Sequence, residues 1–511
     1  MPLVGRVGRN RPRARLAMAV LYIVLSLGAL TTVYPFASMV SLALKGPSDQ
    51  NDGRFVPGYL VSDTELLAKY RHDKYANDAD AMASASIGAQ ADQSAVAAYR
   101  EFLMALPPDQ WSAAFTMPTN AVSSRLSERW QHWLQAKYGT IQAVGRAYND
   151  FSGDFLAVTP VAEQLGRANW KPTPGPRWSD WLEFKATLPV EFRLPVRADR
   201  MFQQWARAKW ENQFARVPAE AAGSAKKFEE MRLPSGGAIR EEFLEHGLPE
   251  RFRAAGTVEG QWQRIHPGPL PVLAEEADWV AIHRSDIAGE MATRNFRYVI
   301  RAVFTNGRAA LNTTVFCLLA VLAQLTVNPL AAYALSRYPM KATARILVFL
   351  LATMAFPAEV TMIPAFLQLK ELHLLNTFAA LVLPGAASGY MVFLLKGFFD
   401  SLPREVFESG QIDGAKEMTM LWKLALPLSK PVLGYLALMA FMGAYGSFLY
   451  AFLVAQDRNI WTLMVFVYQL QQAAPKAVMM AAVTLVALPT LVVFLAAQRV
   501  IMRGIVLPGE R

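Results

Sequence analysis

The sequence predicts an all-α polytopic membrane protein, with six transmembrane helices and a large, mainly helical insertion between the first two. Three observations point there. Hydrophobic residues make up 53% of the 511-residue chain, yet they gather into one early run and the C-terminal part. A soluble core is broken by charge every few residues, whereas runs near ~20 apolar residues are what ~30 Å of hydrocarbon requires. Lysine and arginine, finally, sit at the ends of these runs in an order that assigns each end a side.

Taken in order, residues 1–15 carry Arg6, Arg9, Arg11, Arg13 and Arg15 with no acidic residue, which predicts a cytoplasmic N-terminus. The first span, 16–44, is too long for a removable signal peptide and lacks a clear cleavage pattern, so it reads as an uncleaved anchor. Further spans are expected at 309–336, 346–368, 377–399, 431–454 and 478–500. Six crossings place "RYPMKATAR" (Arg337, Lys341, Arg345), the loop at 400–430 and the tail with Arg499 and Arg503 inside. Residues 46–305 then fall outside, and 306–505 form the membrane body. The net charge of +10 belongs to these membrane-facing ends and gives no reason to expect nucleic acid. Cys317, the single cysteine, falls in the second span, so neither a disulfide framework nor a thiolate metal site is expected.

Residues 46–305 have helix-length segments punctuated by proline and glycine, and no run alternates strongly enough for a sheet. A degenerate repeat runs through them. "EFLMALP" begins at Glu101, "EFKATLP" at Glu183 and "EFLEHGLP" at Glu242. A second phrase follows the first two, "RWQHWLQAKYG" from Arg129 and "MFQQWARAKWE" from Met201, while the third keeps only "GQWQRIH" from Gly260. Trp130, Trp133 and Lys137, like Phe202, Trp205 and Lys209, share one helix face with the lysine stem over the rings. Core packing and a sugar- or protein-docking surface both fit that face. The scattered histidines have no metal-ligand spacing, and no carboxylate pair marks a hydrolase. No catalytic and no metal-binding residues are therefore assigned.

Between the fourth and fifth spans lies "ESGQIDGAKEMTMLWKLALP", Glu408–Pro427, too polar for its surroundings. Its approach, "DSLPREVFESGQIDGA", predicts a short helix capped by Asp400 or Ser401 and ended by Gly410 or Gly414. A second short helix, "KEMTMLWKLAL", is expected to stop at Pro427. The segment resembles the cytoplasmic loop of binding-protein-dependent ABC importer permeases: E-A-A, three residues, Gly, nine residues, Ile, one residue, Leu-Pro. Here Glu408-Ser409-Gly410 leads to Gly414, and nine residues later come Leu424, Ala425, Leu426 and Pro427. Ser-Gly replaces Ala-Ala, and Leu replaces Ile.

The resemblance extends to the carbohydrate importers of the maltose-permease type. It is carried by "IDGA", "VYPFASMVSLALKG", "NFRYVI" (Asn295–Ile300), "AAYALSR", "FPAEVTMIP", "LLNT" and "ALPTLVVFLAAQRVIMRG", over residues 16–46 and 295–505. It departs at Tyr445-Gly446-Ser447-Phe448, where such permeases show Trp-Asn-x-Phe, and in the length of 46–305. The resemblance implies an inner-membrane permease of a bacterial cell with both termini cytoplasmic and 46–305 periplasmic. It implies as partners an ABC ATPase dimer, a second permease subunit, an extracytoplasmic solute-binding protein and the lipid bilayer. The chain has no G-x-x-x-x-G-K-[ST] and binds no cofactor on this reading; ATP-Mg is used by the partner. The coupling loop is Glu408, Ser409, Gly410, Asp413, Gly414, Ala415, Leu424, Leu426 and Pro427. Polar residues inside spans are costly unless they face a cavity or a partner, which makes Asn312, Gln324, Asn328, Ser388, Tyr390 and Ser447 candidates for a solute path. Glu359, near the end of the third span, reads as structural, and Asn328-Pro329 and Pro357 mark expected helix irregularities. The alternative is a membrane-anchored extracytoplasmic sensor or polysaccharide-binding protein on a transporter-derived body.

Overall fold

The computed structural model describes residues 12–504, apart from 77, 79–80, 83–84, 86–92, 117–124, 151, 168–169, 306–307 and 339. Arg6, Arg9 and Arg11 of the basic N-terminus lie outside the described residues. The chain is mostly helical and divides into two compact units, one of residues 1–298 with 474–480 and one of 299–473 with 481–511.

Among the described residues, three helices are long and apolar enough to cross a membrane: Met18–Ala43, Ala309–Arg337 and Lys476–Gln498. Two bent pairs each add one if counted as a broken span, Phe378–Gly385 with Gly389–Asp400 at 51° and Glu417–Leu428 with Lys430–Tyr445 at 84°. The run expected at 346–368 is instead split into Thr343–Thr353 and Ala358–Glu371. Pro357 accounts for the split, because proline removes a backbone donor and keeps the preceding residue out of helical geometry. Asn328-Pro329, by contrast, does not interrupt its helix. The Asn328 side chain donates back to the Gln324 carbonyl at 2.8 Å.

In the first unit, the helix Pro12–Ala43 exposes its apolar side chains all round over residues 19–36, as a lipid-facing helix must, and buries Ala43 at its end. Its last carbonyls find donors further along the chain. Tyr59 bonds Leu44 at 2.8 Å, and the buried Asn295 amide bonds both Ala43 and Lys45 at 2.7 Å. Close by, Arg294 pairs with Asp73. Burial works against the Asp73 charge, but Arg294 and its other donors hold the carboxyl down at about 2. A depressed carboxyl stabilises the fold at neutral pH, and that contribution is lost as pH falls from the ordinary 3.8 towards about 2.

The repeat is structural. Each Leu-Pro is followed by the same turn, with the amide three residues past the proline bonding its carbonyl: Gln110 to Pro107, Phe192 to Pro189 and Phe252 to Pro249, at 3.0, 3.0 and 2.9 Å. In each copy, the side chain five residues past the leucine donates to the leucine carbonyl: Trp111 to Leu106, Arg193 to Leu188 and Arg253 to Leu248, at 3.3, 3.2 and 3.1 Å. "EFLEHGLP" has one more residue than its counterparts. The extra residue is absorbed as a π-turn over Phe243–Gly247, in which Leu248 N bonds Phe243 O at 2.7 Å.

Each second-phrase helix packs on the first helix of the next copy. In Arg125–Tyr138, Trp130 meets Trp181 and Phe184 at 5.4 and 5.1 Å, and Lys137 pairs with Glu183. In Ala198–Lys209, Phe202 meets Phe243 at 5.4 Å and Lys209 pairs with Glu242. The third helix, Val258–Ile265, turns back on the first copy, where Trp262 meets Tyr99 and Phe102 at 5.7 and 5.4 Å. The contacts therefore close on themselves after three copies. Trp130, Phe202 and Trp262 are fully buried, whereas Trp133 and Trp205 are half-buried beneath Lys137 and Lys209, 4.7 and 4.8 Å from the ring centres. Core packing is the role that this geometry gives the shared face. The structure also corrects the expectation of no sheet: Trp111–Ala113 pairs antiparallel with Arg193–Pro195. Three-residue strands are too short to leave an alternation in the sequence.

Candidate functional site

The second unit holds both the Glu408–Pro427 segment and a cavity. The first helix of the segment is Arg404–Ile412, entered at Pro403 without a side-chain cap. Asp400 and Ser401 do not cap it. Asp400 instead accepts from Ser336 at 2.7 Å and pairs with Lys396, while Ser401 bonds back to Phe398. The helix ends at Gly414, whose φ of +75° is left-handed. Gly414 N bonds Gln411 O at 3.0 Å and Ala415 N bonds Gly410 O at 2.9 Å, the paired closure of a Schellman motif. Gly410 has a different task. A β-carbon there would lie 3.2 Å from Leu424 Cδ1 and 3.6 Å from Met420 Sδ, so glycine lets the two short helices approach.

The second helix does not stop at Pro427. Glu417–Met420 continues through a π-turn, Leu421–Ala425, and a last turn, Leu426–Leu428. The widened turn accommodates the proline ring, and the chain breaks instead at the buried Ser429, whose hydroxyl bonds Ala425 O at 2.7 Å. Leu421 and Ala425 are the buried anchors, together with Met420 and Phe407. Leu424 and Leu426 pack half-buried beside them, and Pro427 is exposed.

Glu408, Ser409 and Asp413 face solvent, and so do three apolar side chains, of which the sequence pattern singled out only Ile412, in "IDGA". Ile412, Met418 and Trp422 are 87%, 55% and 57% exposed. Large apolar groups bared on two short polar helices form a surface suited to a partner.

The hidden side of the segment is tied to the helix Ala309–Arg337. Tyr333 donates to Glu417 at 3.0 Å, and the Arg337 guanidinium lies 3.5 Å from the centre of the Phe407 ring while donating to Phe399 O at 2.8 Å. Earlier along the same helix, Phe316, Ala320 and Gln324 line a cavity of about 270 Å³. Its other walls include Thr361, Pro384, Ser447 and Tyr450.

Of the candidate path residues, Gln324 and Ser447 converge on this cavity. Gln324 donates to Gly385 O at 2.9 Å, while its Oε1 is buried without a hydrogen-bond partner among the described residues. The others have different places. Asn312 bonds the Asn459 and Trp461 carbonyls at 2.8 and 3.0 Å. Asn328, fully buried, accepts from Ser388 N at 2.8 Å and so holds the break between the halves of a bent pair. Ser388 caps the second half by accepting from Met391 N. Tyr390 is exposed and shares a hydrogen bond with Tyr435. Asn328→Leu should therefore act through stability: leaving Ser388 N unpaired costs about 1–3 kcal/mol. Thermal unfolding of the purified chain checks this, and an unchanged midpoint would remove Asn328 from that role.

Residues 328–506 match the family described as "binding-protein-dependent transport system inner membrane component". Among similar proteins is the sn-glycerol-3-phosphate transport system permease protein UgpE of Yersinia pestis bv. Antiqua, 34% identical over 39% of this chain and 73% of its own length. The maltodextrin transport system permease protein MalD of Streptococcus pneumoniae is 29% identical over 48% of this chain and 90% of its own. Protein LplC of Bacillus subtilis is 33% identical, and the match spans 64% of its length. Among solved structures, an ABC transporter importing the acidic polysaccharide alginate matches 40% of this chain and 78% of its own, at 22% identity and a TM-score of 0.36.

Proposed function

This chain belongs to the family of binding-protein-dependent transport system inner membrane components, and from that premise we propose that it is a permease subunit of an ATP-driven sugar importer. The solute is a sugar or oligosaccharide delivered by a solute-binding protein on the outer side. An ATPase dimer on the inner side hydrolyses ATP-Mg, and a second permease subunit completes the path. In this arrangement both termini and the Glu408–Pro427 loop are cytoplasmic and residues 46–305 are periplasmic.

One observation carries the reading: a single helix, Ala309–Arg337, touches the loop at one end and lines the cavity further along. The exposed Glu408, Ile412, Met418 and Trp422 are the face offered to the ATPase. A push there passes through Tyr333–Glu417 and Arg337–Phe407 into the helix, which moves Phe316, Ala320 and Gln324 together. Packed elements of this kind shift as rigid bodies. Gln324 and Ser447 supply hydrogen-bonding groups to the solute in an otherwise mostly apolar cavity, the usual composition of a small-molecule site.

The test is co-purification followed by uptake in proteoliposomes. An ATPase and a second permease should accompany the chain, and uptake should require the solute-binding protein. Absence of all three partners would instead favour the sensor or polysaccharide-binding reading. In the same vesicles, Gln324→Leu and Ser447→Leu should each lower uptake by about tenfold, a loss of ~1.4 kcal/mol. Unchanged uptake in both would remove the cavity from the solute path.

A further inference from the structure

The first unit contains a second cavity, of about 340 Å³, at the two-stranded sheet. Its apolar lining includes Ala113, Leu194, Pro195 and Val196, and its polar lining includes Ser112, Asp78, Glu163, Arg200 and Gln204. It lies where the three copies of the repeat differ. The first two copies each follow their Leu-Pro turn with a strand, whereas the third follows it with the helix Glu250–Ala255.

We propose that this cavity binds a neutral polyhydroxylated ligand, a mono- or disaccharide. The charges come first. Arg200 forks onto both Asp78 oxygens at 3.2 and 3.1 Å, and Glu163 pairs with Lys185 at 2.7 Å. Lys74 pairs with Glu276 at 3.1 Å, and Arg197 with Glu259 at 3.2 Å. Arg167, which also lines the cavity, is exposed to solvent, where water screens its charge. A charged ligand would thus leave water for a site whose inner charges are already matched, at the cost of its own desolvation. A neutral ligand avoids that cost.

The hydrogen-bonding pattern narrows the class. Gln204 Oε1 is buried and accepts no bond among the described residues. It requires a donor, and a hydroxyl group supplies one while remaining able to accept elsewhere. Arg200 Nη2, shared between both Asp78 oxygens, sets a donor beside acceptors, an arrangement that suits adjacent hydroxyls, each of which donates and accepts. Alanine, leucine, proline and valine offer the C–H face of such a ring an apolar floor. The volume lies near the lower bound of about 300 Å³ for ligand pockets, enough for one or two rings and not a long chain.

This site is separate from the cavity assigned to transport, and its test keeps the two apart. The full-length chain in nanodiscs is titrated calorimetrically with glucose and maltose, then with glucuronate and glucose 6-phosphate. A neutral saccharide should bind saturably, and more tightly than either anionic probe. Gln204→Leu should weaken that binding by about tenfold without lowering the thermal midpoint, because it removes an acceptor that has no partner. Gln324→Leu, in the other cavity, should leave it unchanged. Absence of saturable neutral binding, preference for the anionic probes, or full binding by Gln204→Leu would each overturn the proposal. Loss of binding in Gln324→Leu with Gln204→Leu intact would assign the signal to the transport cavity and overturn it as well.

Discussion

Gly414→Val should abolish uptake while leaving the chain folded and inserted. At φ +75° a β-branched residue is strained, at about 1–2 kcal/mol for an L-residue in the left-handed region and more with branching. Space is not the obstacle, since a β-carbon there meets nothing within 4 Å. The damage lies in the turn. If valine forces φ negative, the Gly414–Gln411 and Ala415–Gly410 bonds open, and the Glu417–Leu428 helix leaves Arg404–Ile412 in a new direction. The exposed face made by Glu408, Ile412, Met418 and Trp422 is then split between two misaligned helices. In proteoliposomes we expect uptake to fall by at least about tenfold, with ATP hydrolysis no longer stimulated by the solute-binding protein. Gly414→Asn should be milder, because asparagine tolerates the left-handed region. Wild-type uptake by the valine variant would refute the lever.

Trp130→Ala should cost about 3–5 kcal/mol, as expected for deletion of a fully buried large aromatic. Trp130 stacks on Trp133 and meets Trp181 and Phe184, so its loss leaves a void at a junction between repeat copies. Its indole N–H has no acceptor among the described residues, so the ring contributes through packing and not through a hydrogen bond. Differential scanning calorimetry of the full-length chain should show the midpoint lowered and limited proteolysis should begin within residues 46–305. Trp133→Ala, half-buried under Lys137, should cost markedly less. Equal midpoints for Trp130→Ala and the parent would show that the copies do not depend on this contact.

Much of this was legible in residue spacing, because spacing reports local geometry. Gly414 could be placed as a helix end because a conformational need leaves a glycine. Pro427 could not be placed correctly, because a π-turn accommodates it and leaves no mark in composition. The break at Ser429 was hidden too, since hydropathy runs on through it. The repeat was plain in its first two copies, whereas the third kept only "GQWQRIH", whose Trp262 answers structurally to Trp130 and Phe202. Closure of the third copy on Tyr99 and Phe102 joins distant residues and has no local signature. Among the polar residues of the spans, composition cannot separate a side chain that bonds another helix from one that faces a cavity. Asn312 and Asn328 proved to be the first kind, Gln324 and Ser447 the second. Tyr333 and Arg337 were missed because an aromatic or basic residue at a span end looks the same whether it anchors at an interface or grips a loop.

The Asn295 amide, bonded at once to Ala43 and Lys45, makes the chain leave the first long helix and return to the same point. Everything between them begins and finishes within one hydrogen bond's reach. Such a segment behaves as a cassette: it can be lengthened, duplicated internally or exchanged with no new demand on the spacing of the residues it interrupts. The entropic cost of closing a longer excursion rises only with the logarithm of its length. One asparagine thus frees the size of the excursion from the geometry of the helices on either side.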